Sequence, residues 1–174
     1  ERLRIDFNFD RKLTEEEKTA VEERVNTWIA YDLNVVKRDM PKEEAEKLGA
    51  EMEFGVKYPD IVSVYFIEDK EGNHVSKEFC GGTHISNTIE IGCFKIISER
   101  GIGTNLRRIE AVTGLKVIEY LKNLEKTLNK LESILSAKGE NLINKTTELK
   151  NEIKNKRGRD CRKKKQMAAT SFKG

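Results

Sequence analysis

The residues of this chain best suited to chemistry are Cys80 and His84, which stand four positions apart in Phe-Cys-Gly-Gly-Thr-His, residues 79–84. A thiolate and a neutral imidazole are donors that a tetrahedral Zn²⁺ prefers. The chain holds three cysteines and two histidines, so one of each at this spacing draws notice. Gly81 and Gly82 let a bound group approach the backbone closely, or let the backbone take positive φ, at no steric cost. Two donors do not close a zinc site, which needs three or four. The plainer alternative is a free cysteine packed as a small hydrophobe near an unrelated histidine.

These residues need a support, and the flanking pattern supplies one. Ile61 to Glu68 is β-rich and largely apolar, and Glu71-Gly72-Asn73 is a turn signal that folds Val75 to Phe79 back as a hairpin partner. Cys80 to His84 then leave the end of a strand, where loops carry function on a rigid base. His74, beside the turn, reads as an exposed turn histidine rather than a ligand. Cys93 to Ser98 and Leu106 to Val112 read as two further strands, with Cys93 in the strand core.

Upstream, Leu3, Ile5, Phe7 and Phe9 alternate with Arg4, Asp6 and Asn8, the pattern of a half-buried strand. Thr14 and Glu17 form a capping box, and a helix should follow with Val21, Val25, Trp28 and Ile29 on its buried side. That spacing makes Trp28 a core residue rather than a base-stacking platform. Val35 to Met40 is a short strand. Pro41 opens a second helix, which ends at Gly49. Downstream, Val117, Leu121, Leu124, Leu128, Leu131 and Leu135 advance by alternate fours and threes, an a/d heptad seam. Lys138-Gly139-Glu140 interrupts it before Leu142, Leu149 and Ile153 resume. A helix–turn–helix through Gly139 is preferred over one long helix carrying glycine at a cost of about 1 kcal/mol. A leucine seam of this kind needs an apolar partner, either the second helix or another chain.

Composition bounds the rest. The 174 residues suit one compact domain with an extension; 37% are hydrophobic and 36% charged, which points to long solvated helices. No apolar run approaches about 18 residues, so no membrane-spanning helix is expected, and the opening residues do not resemble a signal peptide. An odd number of cysteines without framework spacing fits a reducing compartment, and a cytoplasmic location is expected. The net charge of +3 conceals an asymmetry, because 154–165 holds eight basic residues against one Asp. Such a run attracts phosphates or forms a solvated, disordered tail; the tail is the preferred reading. Cys161 within it has no obvious partner.

Residues 90–114 extend the motif set. Cys-Gly-Gly-Thr-His, then Glu-Ile-Gly-x-Phe-Lys-Ile-x-Ser-Glu, then Arg-Arg-Ile-Glu-Ala-Val-Thr-Gly together resemble the second half of the editing domain of alanyl-tRNA synthetases. The resemblance runs in order from Arg2 to about Leu149 and takes in Arg2 to Phe7, Gly49-Ala50, Phe54-Gly55 and Lys57-Tyr58. It fits the alanyl branch better than the related threonyl one. Two departures stand out: Ile89 where the family usually has Gly, and Thr104-Asn105 in place of small residues before Arg107-Arg108.

The resemblance implies an α+β fold, an antiparallel or mixed sheet packed with helices, followed by a long helix or helical hairpin. The divisions expected are an editing-domain core over 1–114, a heptad helical segment over 115–156 and a basic, flexible tail over 157–174. It implies hydrolysis of serine or glycine wrongly esterified to the tRNA for alanine. Zn²⁺ would be held by Cys80, His84 and an upstream His-x₃-His, which neither His74 nor His84 supplies. The chain is accordingly expected to be a fragment of an alanine–tRNA ligase, inactive by itself, whose ATP-dependent aminoacylation lies in an upstream domain. Gly81, Gly82 and Thr83 would line the approach. Arg107 and Arg108 would meet tRNA phosphates, one of them only if both lie on a strand, or else pair with Glu99 or Glu110. Partners implied are tRNA(Ala), Ser-tRNA(Ala) and Gly-tRNA(Ala), with a homodimer through the heptad helix. Alternatives are a free-standing editing deacylase and a non-catalytic module for tRNA binding or dimerisation.

Overall fold

The computed structural model describes residues 2–53 and 55–171, with side chains as far as residue 159. The chain divides into two compact units, Glu1–Glu119 and Tyr120–Gly174. The first holds two three-stranded antiparallel sheets with helices, so the class is α+β as expected.

One sheet has the order β1 (Leu3–Asn8), β6 (Leu106–Thr113), β5 (Phe94–Gly103). Helix α1 (Glu15–Ala30) packs on it, burying Ile29 against Phe94, Ile96 and Ala111. The predicted capping box is present: Glu17 N–H donates to Thr14 Oγ1 at 3.2 Å, and Thr14 N–H to Glu17 Oε2 at 2.8 Å. The helix face differs from expectation. Val21 is exposed, and Val25 and Trp28 are half-buried, because α1 lies along the outer edge of β5 and addresses it with polar groups. Asn26 exchanges two 2.9 Å hydrogen bonds with the Phe94 backbone, and Glu22 Oε1 accepts the Ile96 N–H at 2.8 Å. Side chains thereby satisfy backbone groups that an edge strand would leave open. The opposite edge, β1, has no such cover among the described residues: Leu3 and Ile5 are 45% and 48% exposed, more open than a half-buried strand.

The other sheet has the order β2 (Asn34–Pro41), β3 (Ile61–Glu68), β4 (His74–Phe79). Alternation along β3 sends Val62, Val64 and Phe66 into a core with Phe79, Ala45 and Ala50. Ala45 comes from the short helix α2 (Lys42–Lys47), which Pro41 precedes and Gly49, at φ +70°, follows. The β3–β4 turn forms as expected, its Asp69 carboxylate accepting the backbone N–H groups of Glu71 and Asn73. Thr88 joins the two sheets. Its hydroxyl donates to the Trp28 carbonyl at 2.8 Å and accepts the Leu33 N–H at 2.9 Å, at the end of α1 and just before β2. Gly92 and Gly114 pass so closely that a Cβ on Gly92 would stand 3.4 Å from the Gly114 Cα. Cys93 lies one residue ahead of β5 and is half-buried, not in the strand core, because the backbone is still turning at Gly92 (φ +76°).

Helix α3 (Leu115–Leu135) and helix α4 (Glu140–Ser171) are separate, with Gly139 at φ +54° between them. The expected turn is therefore there. The seam is not covered: Leu121, Leu124, Leu128 and Leu131 remain 45–50% exposed among the described residues. The backbone of α4 stays helical through Ser171, over most of the stretch expected as a flexible tail. Lys, Arg, Gln, Met and Ala are all good helix formers, which outweighs the single Gly158. The side chain of Cys161 lies outside the described residues.

Candidate functional site

β3 and β4 carry the loop that holds Cys80 and His84. The Cys80 N–H donates to the Ser63 carbonyl at 3.1 Å, extending the β3–β4 ladder by one step. Since Phe79 points into the core, Cys80 falls on the opposite, open face with Ser63 and Tyr65. The chain then folds back over that face. Gly82 N–H donates to Cys80 Sγ at 3.4 Å, the Tyr65 hydroxyl donates to the Gly82 carbonyl at 2.8 Å, and the His84 ring stacks on the Tyr65 ring at 3.7 Å. Tyr65 thus fixes the middle and the far end of the Cys80–His84 segment. Gly81, Gly82, Thr83 and His84 are exposed. Neither glycine takes positive φ, and a Cβ on Gly81 would meet nothing within 4 Å. Glycine here leaves the loop uncovered for an approaching group rather than answering a backbone demand.

Beside the loop, Ser63 donates to Asp39 Oδ1 at 2.7 Å, and Lys37 Nζ stands 3.5 Å from the same oxygen. The Ser63 hydroxyl, then Lys37, hold the Asp39 carboxyl below the usual carboxylate range. The open face of this sheet is therefore polar, with an ionised carboxylate and a stacked imidazole. Among the described residues no three His, Cys, Asp or Glu side chains converge as a metal cage. By donor chemistry, Cys80 and His84 would supply two of the four ligands that a tetrahedral zinc site needs. His74 is elsewhere: it opens β4, lies 3.3 Å from Glu68 and packs against Phe66.

Arg107 and Arg108 sit on β6 and point to opposite faces of the first sheet, as a strand requires. Arg107 pairs with the buried Glu99, and Arg108 makes two 2.6 Å hydrogen bonds to Asp6. The ion-pair alternative thus describes their geometry, with Asp6 rather than Glu110 as the partner of Arg108.

Residues 62–110 match the family described as the threonyl and alanyl tRNA synthetase second additional domain. An alanine–tRNA ligase of Trichodesmium erythraeum is 47% identical over 154 residues, 88% of this chain and 17% of its own length. One from a Thermoanaerobacter species is 43% identical over 156 residues, 90% of this chain and 17% of its own. A probable alanine–tRNA ligase, chloroplastic/mitochondrial, of Ostreococcus tauri is 42% identical over 153 residues. The resemblance is to alanine–tRNA ligases.

The second additional domain span takes in β3, β4, the Cys80–His84 loop, β5 and most of β6. The chain covers 15–17% of the length of these ligases. No helix among the described residues is long and apolar enough to cross a membrane. Sequence reasoning missed Tyr65 as the residue that positions the loop. The signal was available: in β3 it alternates with buried Val64 and Phe66, which puts it on the open face.

Proposed function

We propose that this chain is part of an alanine–tRNA ligase and carries part of the site that hydrolyses Ser-tRNA(Ala) and Gly-tRNA(Ala). The observation that carries this reading is the Cys80–His84 loop, held by Tyr65 on an open polar sheet face within the span that matches the second additional domain. A physical need supports it. An aminoacylation pocket shaped for alanine discriminates against a missing methyl by only about 1–3 kcal/mol, and an apolar pocket rejects an added hydroxyl as weakly. A second, hydrolytic site corrects both errors.

In this reading the backbone of Gly81 and Gly82 and the side chain of Thr83 line the approach of the aminoacyl end. Tyr65 keeps the His84 ring in one orientation, and the Gly82 N–H directs the sulfur lone pairs of Cys80. The remaining zinc ligands come from outside the described residues; when bound, the ion supplies Lewis-acid polarisation of the ester and its water. Arg107 and Arg108 reach tRNA phosphates only by releasing Glu99 and Asp6, so they are secondary contacts. ATP-dependent attachment of alanine belongs to another part of the longer protein, which we place in the cytoplasm. The open leucine seam of α3 suits a second copy of the chain. A second reading, a non-catalytic module for tRNA binding and dimerisation, draws on the count of two metal donors.

Incubating the 174-residue chain with Ser-tRNA(Ala) and added Zn²⁺ tests this. The expected result is no appreciable deacylation, with turnover appearing only in the full-length protein that carries these residues. Turnover by the chain alone would overturn the assignment of a partial site. Absence of turnover in both would favour the non-catalytic module.

A further inference from the structure

We propose that the outer face of the β1–β6–β5 sheet, turned away from α1, binds the phosphate backbone of RNA. The inference rests on the reading of the chain as part of a tRNA-handling protein, and it concerns a surface distinct from the Cys80–His84 loop. Strand alternation puts Arg4 and Asp6 of β1, Arg108 and Glu110 of β6, and Ser98 and Arg100 of β5 on this one face, as the pairings Arg4↔Glu110, Asp6↔Arg108, Ser98↔Glu110 and Arg100↔Arg108 show. Arg2, just ahead of β1, joins them.

Glu110 is the hub. Its carboxylate lies 3.5 Å from Arg2, 4.0 Å from Arg4 and 3.7 Å from Arg100, and accepts the Ser98 hydroxyl at 3.1 Å. The Ser98 hydroxyl, then Arg100, Arg2 and Arg4, hold the Glu110 carboxyl below its ordinary range, so it stays ionised and keeps three guanidinium groups converging from two strands. Asp6 is occupied by Arg108. Four arginines against two carboxylates leave a surplus of two positive charges on this face, whereas the whole chain carries +3.

Exposure decides which sign an incoming group meets. The side chains of Arg2, Arg4 and Arg100 are 65%, 59% and 60% exposed, and that of Glu110 is 13% exposed. The carboxylate lies beneath and the guanidinium groups above. Their separations of 3.5–4.0 Å from Glu110 leave most of their N–H donors free, and planar forks of this kind match phosphate oxygens in pairs. Strands about 4.8 Å apart put the backbones of Arg4 and Arg100, on the two outer strands, about 10 Å from one another. Their guanidinium groups converge over the same Glu110 oxygen, so that together they can grip one phosphate or two adjacent ones. No aromatic side chain belongs to this set. Bases have no stacking platform here and a protein partner has no anchor pocket, so backbone contact without sequence readout is the fitting mode. Arg107 and Lys95 do not contribute, since they are turned to Glu99 and Glu22.

The test is binding of a fluorescein-labelled tRNA(Ala) transcript to the full 174-residue chain across a KCl series, with polyglutamate as competitor. The variants are the triple Arg2→Gln/Arg4→Gln/Arg100→Gln and the matching triple Arg→Lys, each checked for native circular dichroism. The expected result is that the Gln triple weakens binding roughly tenfold or more at low salt and flattens the log–log salt dependence by about 2, at about 0.7 per lost phosphate contact. The Lys triple should keep the slope. If the wild-type chain binds tRNA and the Gln triple binds equally with the same slope, the outer face is not the surface, although the tRNA reading stands. If the wild-type chain binds no tRNA, both fail. If polyglutamate displaces the transcript at equal charge concentration, the surface serves acidic proteins and the RNA proposal is overturned.

Discussion

Replacing Thr88 by Val removes one oxygen from the joint between the two sheets. Thr88 is 4% exposed, and its hydroxyl makes two hydrogen bonds, from the Leu33 N–H at 2.9 Å and to the Trp28 carbonyl at 2.8 Å. Valine keeps the β-branch and nearly the same volume, so no sizeable cavity arises. What changes is that one buried donor and one buried acceptor lose their partner, each costing about 1–3 kcal/mol. The Trp28 carbonyl, at the end of α1, recovers part of its share, so the expected loss is about 2–4 kcal/mol. Urea unfolding of the variant and the wild type measures it, with the midpoint falling and the m-value unchanged. Thr88→Ser, which keeps the oxygen, should recover more than half of the loss. Thr88 also anchors the end of the Cys80–His84 loop, four residues past His84. A Thr88→Val protein within about 0.5 kcal/mol of wild type would refute the reasoning that this hydroxyl couples the sheets.

Other expectations follow from single residues. Phe66→Ala, which empties the centre of the β2–β3–β4 core where Phe66 is 1% exposed, should cost about 3–5 kcal/mol in the same unfolding assay. Glu17 has its carboxyl lowered from 4.5 to about 2, first by Arg11 and then by the Thr14 N–H. A depressed folded-state value contributes stability above the unfolded value and loses it as pH falls. The stability difference between wild type and Glu17→Gln should therefore be constant above about pH 5 and shrink between 4.5 and about 2, as read from urea midpoints across that range.

Much of the fold was legible because local and global preferences agree. The apolar alternation of Ile61–Glu68, the turn at Gly72, the Thr14–Glu17 box and the break at Gly139 each appear where the residues put them. The loop bearing Cys80 and His84 was legible from residue type and from its place after a strand. What escaped was tertiary. Glu22 and Asn26 read as solvated helix residues, yet they cap the edge of β5, and nothing in a helical period distinguishes water from a strand backbone as their partner. Leu3 and Ile5 read as half-buried, but alternation says which face is apolar and not whether another element covers it. Cys93 was placed in a strand because periodicity cannot see the Gly92 turn that delays β5 by one residue. The basic stretch past 156 was expected to be flexible on its charge, while its backbone follows helix propensity.

The central claim is that the Cys80–His84 loop is part of a hydrolytic editing site, and the rate of Ser-tRNA(Ala) deacylation by the full-length protein carrying these residues tests it most directly. Cys80→Ala should lower that rate by at least about 100-fold and strip bound zinc, since even a group one step removed from a metal costs about 10–100-fold. A Cys80→Ala protein that keeps both its zinc content and its deacylation rate would contradict the account.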